Sequence, residues 1–191
     1  MKPKKVGLLG GTFNPLHIGH MIMANEAYHE LELDEVRFMP SAKPPHKRSD
    51  LQVKDTHRIR MIELAIENIE HFKLELIEFE RSGLSYTYDT IIQLKKVEPE
   101  TEFTFLIGGD MIDYLPKWYR IEDLLDLVRF AGFMRPGYAG TTDYPVLMLQ
   151  SPMIELSSTL IRNRLNLNKD ATFLLPQKVY NYINMEGLYE L

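Results

Sequence analysis

The feature that most narrows what this chain can fold into is an alternation that runs along almost its whole length. Short apolar runs that stop at glycine or at turn residues are separated by stretches with helical spacing. Val6 to Leu9 is the first such run, and Gly10-Gly11 ends it. A continuous apolar run of that length reads as a strand buried on both faces. From Gly19 onward Met21, Ala24, Tyr28 and Leu31 recur at helical spacing, Asp34 closes the segment, and Val36 to Met39 is a second strand. That makes one βαβ unit.

The pattern continues. Residues 40–50, PSAKPPHKRSD, are rich in proline, lysine and small polar residues and read as a long surface loop. Asp55 is placed to cap a helix on which Ile59, Ile62, Ile66 and Ile69 share a face. Phe72, Leu74 and Leu76 alternate with charged residues as a half-exposed strand does. SYTYDTIIQLKKVEP supplies capping residues, a short helix and a proline stop. Phe103 to Ile107 is a buried strand halted at GGD, a helix follows near Ile121 to Leu127, and Val128 to Met134 and Val146 to Leu149 are further strands. Helices are predicted from Ser157 onward and from about Pro176 to Met185. Strands alternating with helices predict an α/β fold, a Rossmann-like, doubly wound, mostly parallel sheet with helices on both faces. In such a sheet ligands bind beyond the carboxyl ends of the strands, where the winding reverses.

Length suits one domain, so residues 1–191 are read as a single unit. A formal charge of −5 argues against a general nucleic-acid or membrane-surface binder. Any anion site must be local. Cysteine is absent, which removes disulfides and thiolate zinc sites and fits a reducing, cytoplasmic setting. The start MKPKKVGLLGG is basic and then apolar, but its apolar part is too short for a signal peptide, and it reads as a strand lead-in. The sequence is compatible with a homo-oligomer and carries nothing that decides it.

The stretch GLLGGTFNPLHIGH, Gly7 to His20, concentrates unusual residues directly behind the first strand. Gly10 and Gly11 are expected to let backbone amides approach a ligand, and Pro15 to stiffen the turn. Gly19 and His20 fall at a helix start, where unpaired amides and the dipole favour an anion. With the helix beginning near Leu16 or His17, the two histidines lie one turn apart on one face and form a donor pair for phosphate oxygens. A tight turn with two exposed polar side chains is the plain alternative. A metal pair lacks a third ligand at a convincing spacing. No G-x-x-x-x-G-K is present, so this is not a P-loop.

GGTFNPLHIGH resembles the nucleotide-binding signature of the nucleotidylyltransferase superfamily, whose H-x-G-H element also occurs in class I aminoacyl-tRNA synthetases. A second signature of that superfamily matches LSSTLIR, Leu156 to Arg162. There Ser157, Ser158 and Thr159 are good caps, and Arg162 lies one turn inside the helix, able to reach back to a phosphate. Size and the missing lysine loop exclude a synthetase. PPHK, SYTYDT, IGGD, LPKWY and RPG follow in the order found in bacterial nicotinate mononucleotide adenylyltransferases, which the chain as a whole resembles.

That resemblance implies adenylyl transfer from ATP to nicotinate mononucleotide, giving nicotinate adenine dinucleotide and pyrophosphate, with magnesium carried by the triphosphate and no protein metal cage. It implies phosphate contacts from His17, His20, Ser158, Thr159 and Arg162, ATP contacts from Gly10, Gly11, Thr12, Phe13, Gly108 and Asp110, and a nicotinate pocket formed by Thr87, Trp118 and Tyr119. Arg135 is implied near the adenine. In the proline-rich loop, Lys47 with His46 reads as a cover for the triphosphate, and Lys43, Lys47 and Arg48 also read as solvated loop charges. Asp110 reads equally as a ribose acceptor or a helix cap. Trp118, the sole tryptophan, suits stacking on a flat ring or a peripheral core position. Rival readings are the same fold with another acceptor, a non-catalytic nucleotide sensor, and a histidine-centred metallohydrolase.

Overall fold

A computed structural model describes residues 2–43, 53–81, 83–134, 142–152 and 154–189. Its elements are β1 (Lys5–Gly11), α1 (Ile18–Glu30), β2 (Glu35–Pro40), α2 (Asp55–Ile66), β3 (Phe72–Leu74), α3 (Thr87–Val97), β4 (Glu102–Gly108), α4 (Gly109–Ile112), α5 (Ile121–Leu125), β5 (Arg129–Phe133), β6 (Val146–Leu149), α6 (Ser158–Asn166) and α7 (Gln177–Met185). Short 3-10 turns occupy Ile77–Glu80, Leu115–Lys117 and Thr172–Leu174. The strands form one six-stranded sheet in the order β3-β2-β1-β4-β5-β6, and every pairing is parallel. This is the doubly wound fold that the alternation predicts.

Strand parity explains the two faces. Val6, Leu8, Phe103, Phe105, Ile107 and Phe130 point to one side, where they pack with Ile91 and Leu94 of α3 and Leu124 of α5. Leu9, Val36, Phe38, Leu106, Ala131 and Phe133 point to the other, against Ala24 and Ala27 of α1 and Ile62 of α2. A third cluster joins α2 to α6 and α7 through Met61, Ile161 and Val179. The chain winds from β1 outward to β3, then returns to lay β4 on the far side of β1. The reversal leaves a crevice beyond the carboxyl ends of β1 and β4.

Several boundaries differ from the sequence reading. Asp55 is the first residue of α2 rather than its cap, which is Lys54, and its carboxylate binds Arg58 instead. Leu76 lies beyond β3, at the start of a 3-10 turn. α5 and β5 are shorter than the predicted 121–127 and 128–134. The helix α4 was absent from that reading because four residues carry no periodicity.

A half-buried ion cluster fixes the lower end of α3. Arg37 of β2 donates to Glu35 at 2.7 Å, to Glu75 at 3.0 Å and to both carboxylate oxygens of Glu98 at 2.5 and 2.8 Å. Glu98 caps the carboxyl end of α3, so the cluster sets the tilt of a helix whose other end carries Thr87. The bonds from Arg37 hold the Glu98 carboxyl below its ordinary value of 4.5. Burial alone raises that of Glu35, but the bonds from Lys4 and Arg37 outweigh it and the net shift is downward. Depressed carboxyl pKa values contribute stability above about pH 4.5, lost as the pH falls through the lower folded values. Removing Arg37 alone leaves three carboxylates crowded together. Arg37→Met is expected to cost about 3 kcal/mol in urea unfolding at neutral pH, with a flatter loss of stability on acidification than the wild type shows.

Candidate active site

The turn after β1 is built from packing demands. Phe13 sits at φ 47°, a left-handed conformation uncommon for a bulky residue, and its buried ring meets Phe38 and the edge of His20 with centroids 5.9 and 5.0 Å away. A Cβ on Gly11 would stand 3.1 Å from the Phe13 ring, and one on Gly10 would stand 2.8 Å from Phe105. The glycine pair makes room for two aromatic rings, and both glycines also line the cavity at the end of β1. Asn14-Pro15 is a cis peptide.

His17 is the N-cap of α1 rather than a residue inside it, and His20 stands in the first turn. The His17 backbone N–H donates to His20 Nδ1 at 3.2 Å. A ring nitrogen that accepts carries no proton, so neutral His20 holds its hydrogen on Nε2 and presents a donor there. The two imidazoles stack with centroids 3.7 Å apart. A Cβ on Gly19 would lie 3.1 Å from the His17 ring, which accounts for the glycine in H-x-G-H.

The late signature meets this turn directly. Ser157 caps α6, its hydroxyl accepting from the Leu160 N–H at 3.2 Å. Ser158 and Thr159, read as further caps, do other work. Ser158 Oγ donates to the Pro15 carbonyl at 2.9 Å, and Thr159 Oγ1 accepts from Arg162 at 3.2 Å. Arg162 also donates to the Asn14 carbonyl at 2.8 Å. The segments converge.

Arg58, Asn14 and Tyr189 belong to this corner and were missed from sequence. Arg58 is fully buried and donates to the carbonyls of Thr12 at 2.7 Å and Ser41 at 2.8 Å, so it ties the turn after β1 to the end of β2. An arginine on the apolar face of α2, one turn before Met61 and Ile62, was the available signal. Tyr189 donates to Asn14 Oδ1 at 2.5 Å, a contact for which sequence offers none.

A cavity of about 1310 Å³ runs from this corner across the ends of β1, β4 and β5 to the opposite face of the sheet. Gly10, Gly11, Thr12, Phe13, His17, His20, Ser158, Thr159 and Arg162 line it, and so do Gly108, Asp110, Thr87, Trp118 and Tyr119. Trp118 packs edge-on against Phe105 and Phe130, with ring centroids 5.7 and 5.8 Å away, as a peripheral core residue does, and it also lines the cavity. Tyr119 is exposed and lies 4.7 Å from Tyr86, next to Thr87 at the start of α3. Asp110 stands within α4, which Gly108 caps, so the cap reading of Asp110 does not hold. Glu78 and Asp110 are the acidic residues among the described lining, and Glu78 already accepts from the Ala42 N–H and the Thr90 hydroxyl. Among the described residues no three His, Asp or Glu gather as a metal cage. His46, Lys47, Arg48 and Arg135 lie outside the described residues.

Residues 8–164 match the cytidylyltransferase-like family. A Bacillus pumilus (strain SAFR-032) protein named "Probable nicotinate-nucleotide adenylyltransferase" is 52% identical over 187 residues, 98% of this chain and 99% of its own. A Streptococcus pyogenes serotype M1 protein of the same name is 46% identical, covering 98% of this chain and 89% of its own. This chain belongs to that family. In fold, it matches Plasmodium falciparum nicotinic acid mononucleotide adenylyltransferase complexed with NaAD, with a TM-score of 0.83 and 97% of each chain covered at 21% identity. For this cytidylyltransferase-like chain the family match spans both converging signatures.

Gly10→Ala presses on Phe105, whose ring touches Trp118. It is expected to cost about 1–3 kcal/mol and to shift the fluorescence of the sole tryptophan, measured by urea unfolding and emission spectra.

Proposed function

We propose that this chain transfers the adenylyl group of ATP to nicotinate mononucleotide, forming nicotinate adenine dinucleotide and pyrophosphate in the synthesis of NAD. The observation that carries the reading is the junction of the early turn and the late helix cap on one cavity, whose other end holds Trp118 and Tyr119. The names borne by relatives at 46–53% identity favour this acceptor over the amide mononucleotide, phosphopantetheine or a cytidylyl substrate. We read the chain as one nucleotidylyltransferase domain working in a reducing, cytoplasmic setting.

In this mechanism the acceptor phosphate, already ionised, attacks the α-phosphorus of ATP in line, and the α–β bridging bond breaks to release pyrophosphate. No general base is required. His20 Nε2–H donates to the phosphoryl oxygens that gain charge, while His17 holds the His20 ring through the stack and the backbone bond. Arg162, braced by Asn14 and Thr159, directs its charge at the leaving pyrophosphate, with Ser158 and Thr159 beside it. Gly10 to Phe13, with Gly108 and Asp110, receive the adenosine part, and Arg135 and Lys47 act on the adenine and triphosphate. Thr87, Trp118 and Tyr119 hold the nicotinate ring and its carboxylate. Catalysis then rests on alignment and fixed charge.

The corner is dominated by donors, which suits a divalent cation that arrives on the triphosphate rather than one caged by protein. Magnesium bound on the triphosphate would supply neutralisation of phosphate charge there, with His20 and Arg162 left to meet the phosphate oxygens and Asp110 the adenosine part.

Incubating the protein with ATP, magnesium and either mononucleotide tests the assignment, with the acid dinucleotide expected as the main product. ATP binding without product from any acceptor supports a sensor instead. His20→Ala is expected to lower kcat roughly 10²- to 10³-fold with little change in KM. Wild-type turnover in that variant refutes the role of His20.

A further inference from the structure

We infer that Tyr189, near the end of the chain and outside both signatures, is a positioning residue of the phosphate corner, acting through Asn14. The inference rests on the phosphate-site reading above. Tyr189 is 4% exposed and sits at φ 68°, a backbone conformation that a bulky residue keeps only where its surroundings hold it there. Its hydroxyl donates to the side-chain oxygen of Asn14, itself 5% exposed, across 175 residues of sequence. Burial raises the phenol pKa, opposed by the nearby charges of Arg162 and Arg58, so the hydroxyl stays protonated and remains a donor across the neutral range.

Asn14 is the hinge of the arrangement. Its main-chain carbonyl accepts from Arg162, and its side chain accepts from Tyr189. The neighbouring turn carbonyls are held in the same manner, that of Thr12 by Arg58 and that of Pro15 by Ser158. Arg58, Arg162 and Ser158 all lie in or beside the cavity's own elements. Tyr189 alone comes from the segment after α7, which packs with α2 and α6 in the third core cluster. With its side chain tied to Tyr189, Asn14 is pinned at a second point, so its backbone is held against shifts that would carry away the carbonyl receiving Arg162, and with it the guanidinium that faces the phosphates. Tyr189 braces that residue from behind without touching the substrate.

The test uses Tyr189→Phe, which removes the hydroxyl and keeps the ring, in the full chain. Calorimetry is run with inorganic pyrophosphate and, separately, with adenosine, beside steady-state kinetics with nicotinate mononucleotide. Pyrophosphate affinity and kcat are each expected to fall about tenfold, the size of one lost hydrogen bond, while adenosine affinity and the acceptor KM stay within about twofold. A purely structural role would lower thermal stability and the active fraction and leave that split flat. Asn14→Ala removes the acceptor from the other side, and the same split is expected. The double variant should lose no more than either single one, because both act on one bond. Equal pyrophosphate affinity in wild type and Tyr189→Phe, parallel loss of both ligands, or additive losses overturn the inference while leaving the phosphate site intact. A wild-type protein that binds no pyrophosphate overturns the phosphate-site reading and this inference with it.

Discussion

Everything in the site depends on two hydrogen bonds that cross most of the chain's length, from Arg162 to the Asn14 carbonyl and from Ser158 to the Pro15 carbonyl. A turn containing a proline has one fewer amide donor of its own, so its carbonyls look outward for partners. α6 supplies them with a hydroxyl and a charged guanidinium, and the charged bond is of the stronger kind. This contact brings the amino end of α6 to the carboxyl edge of the sheet, beside the amino end of α1. Two helix starts and two histidines then face one volume, and an anion suits that setting without further construction.

The same economy explains why the mechanism needs little chemistry from side chains. Both reacting partners bring their own charge, so the protein's part is to hold them and to meet the charge that develops. The stacked His17–His20 pair illustrates this. The His17 ring is buried, and the His20 ring is held by the stack and by the His17 N–H bond to its Nδ1. At the far end, Trp118 is anchored by its edge to Phe105 and Phe130, the strand residues that also pack beneath the site. The ring that walls the cavity is thereby set by the core itself. Below, the Arg37 cluster steadies the helix that carries Thr87.

Much of the fold was legible in the sequence because strand runs and helix periods are local. Val6–Leu9, Phe103–Ile107 and the α2 isoleucines announce themselves within a few residues, and the parallel order follows from their alternation. Helix ends were less legible. α1 begins at Ile18, one residue past His17, and Asp55 turns to Arg58 instead of capping α2, because a side-chain partner competes with the cap. The two signatures were readable as motifs, but the reasons for individual residues were not. A side chain on Gly10 would press on Phe105, a ring that no sequence window shows beside it, and one on Gly19 would meet His17 only because of how the turn folds. Arg58 and Tyr189 were missed for the same cause, since their partners at Thr12 and Asn14 lie far away in sequence.

The central claim is that the early turn and the late cap grip one polyphosphate between them. A crystal structure of the protein with a non-hydrolysable ATP analogue and magnesium measures this directly. Phosphate oxygens are expected within hydrogen-bond distance of His20 Nε2 on one side and of Arg162 on the other, in a single molecule of nucleotide. A triphosphate bound to only one of these segments, or seated outside the crevice between β1 and β4, contradicts the claim.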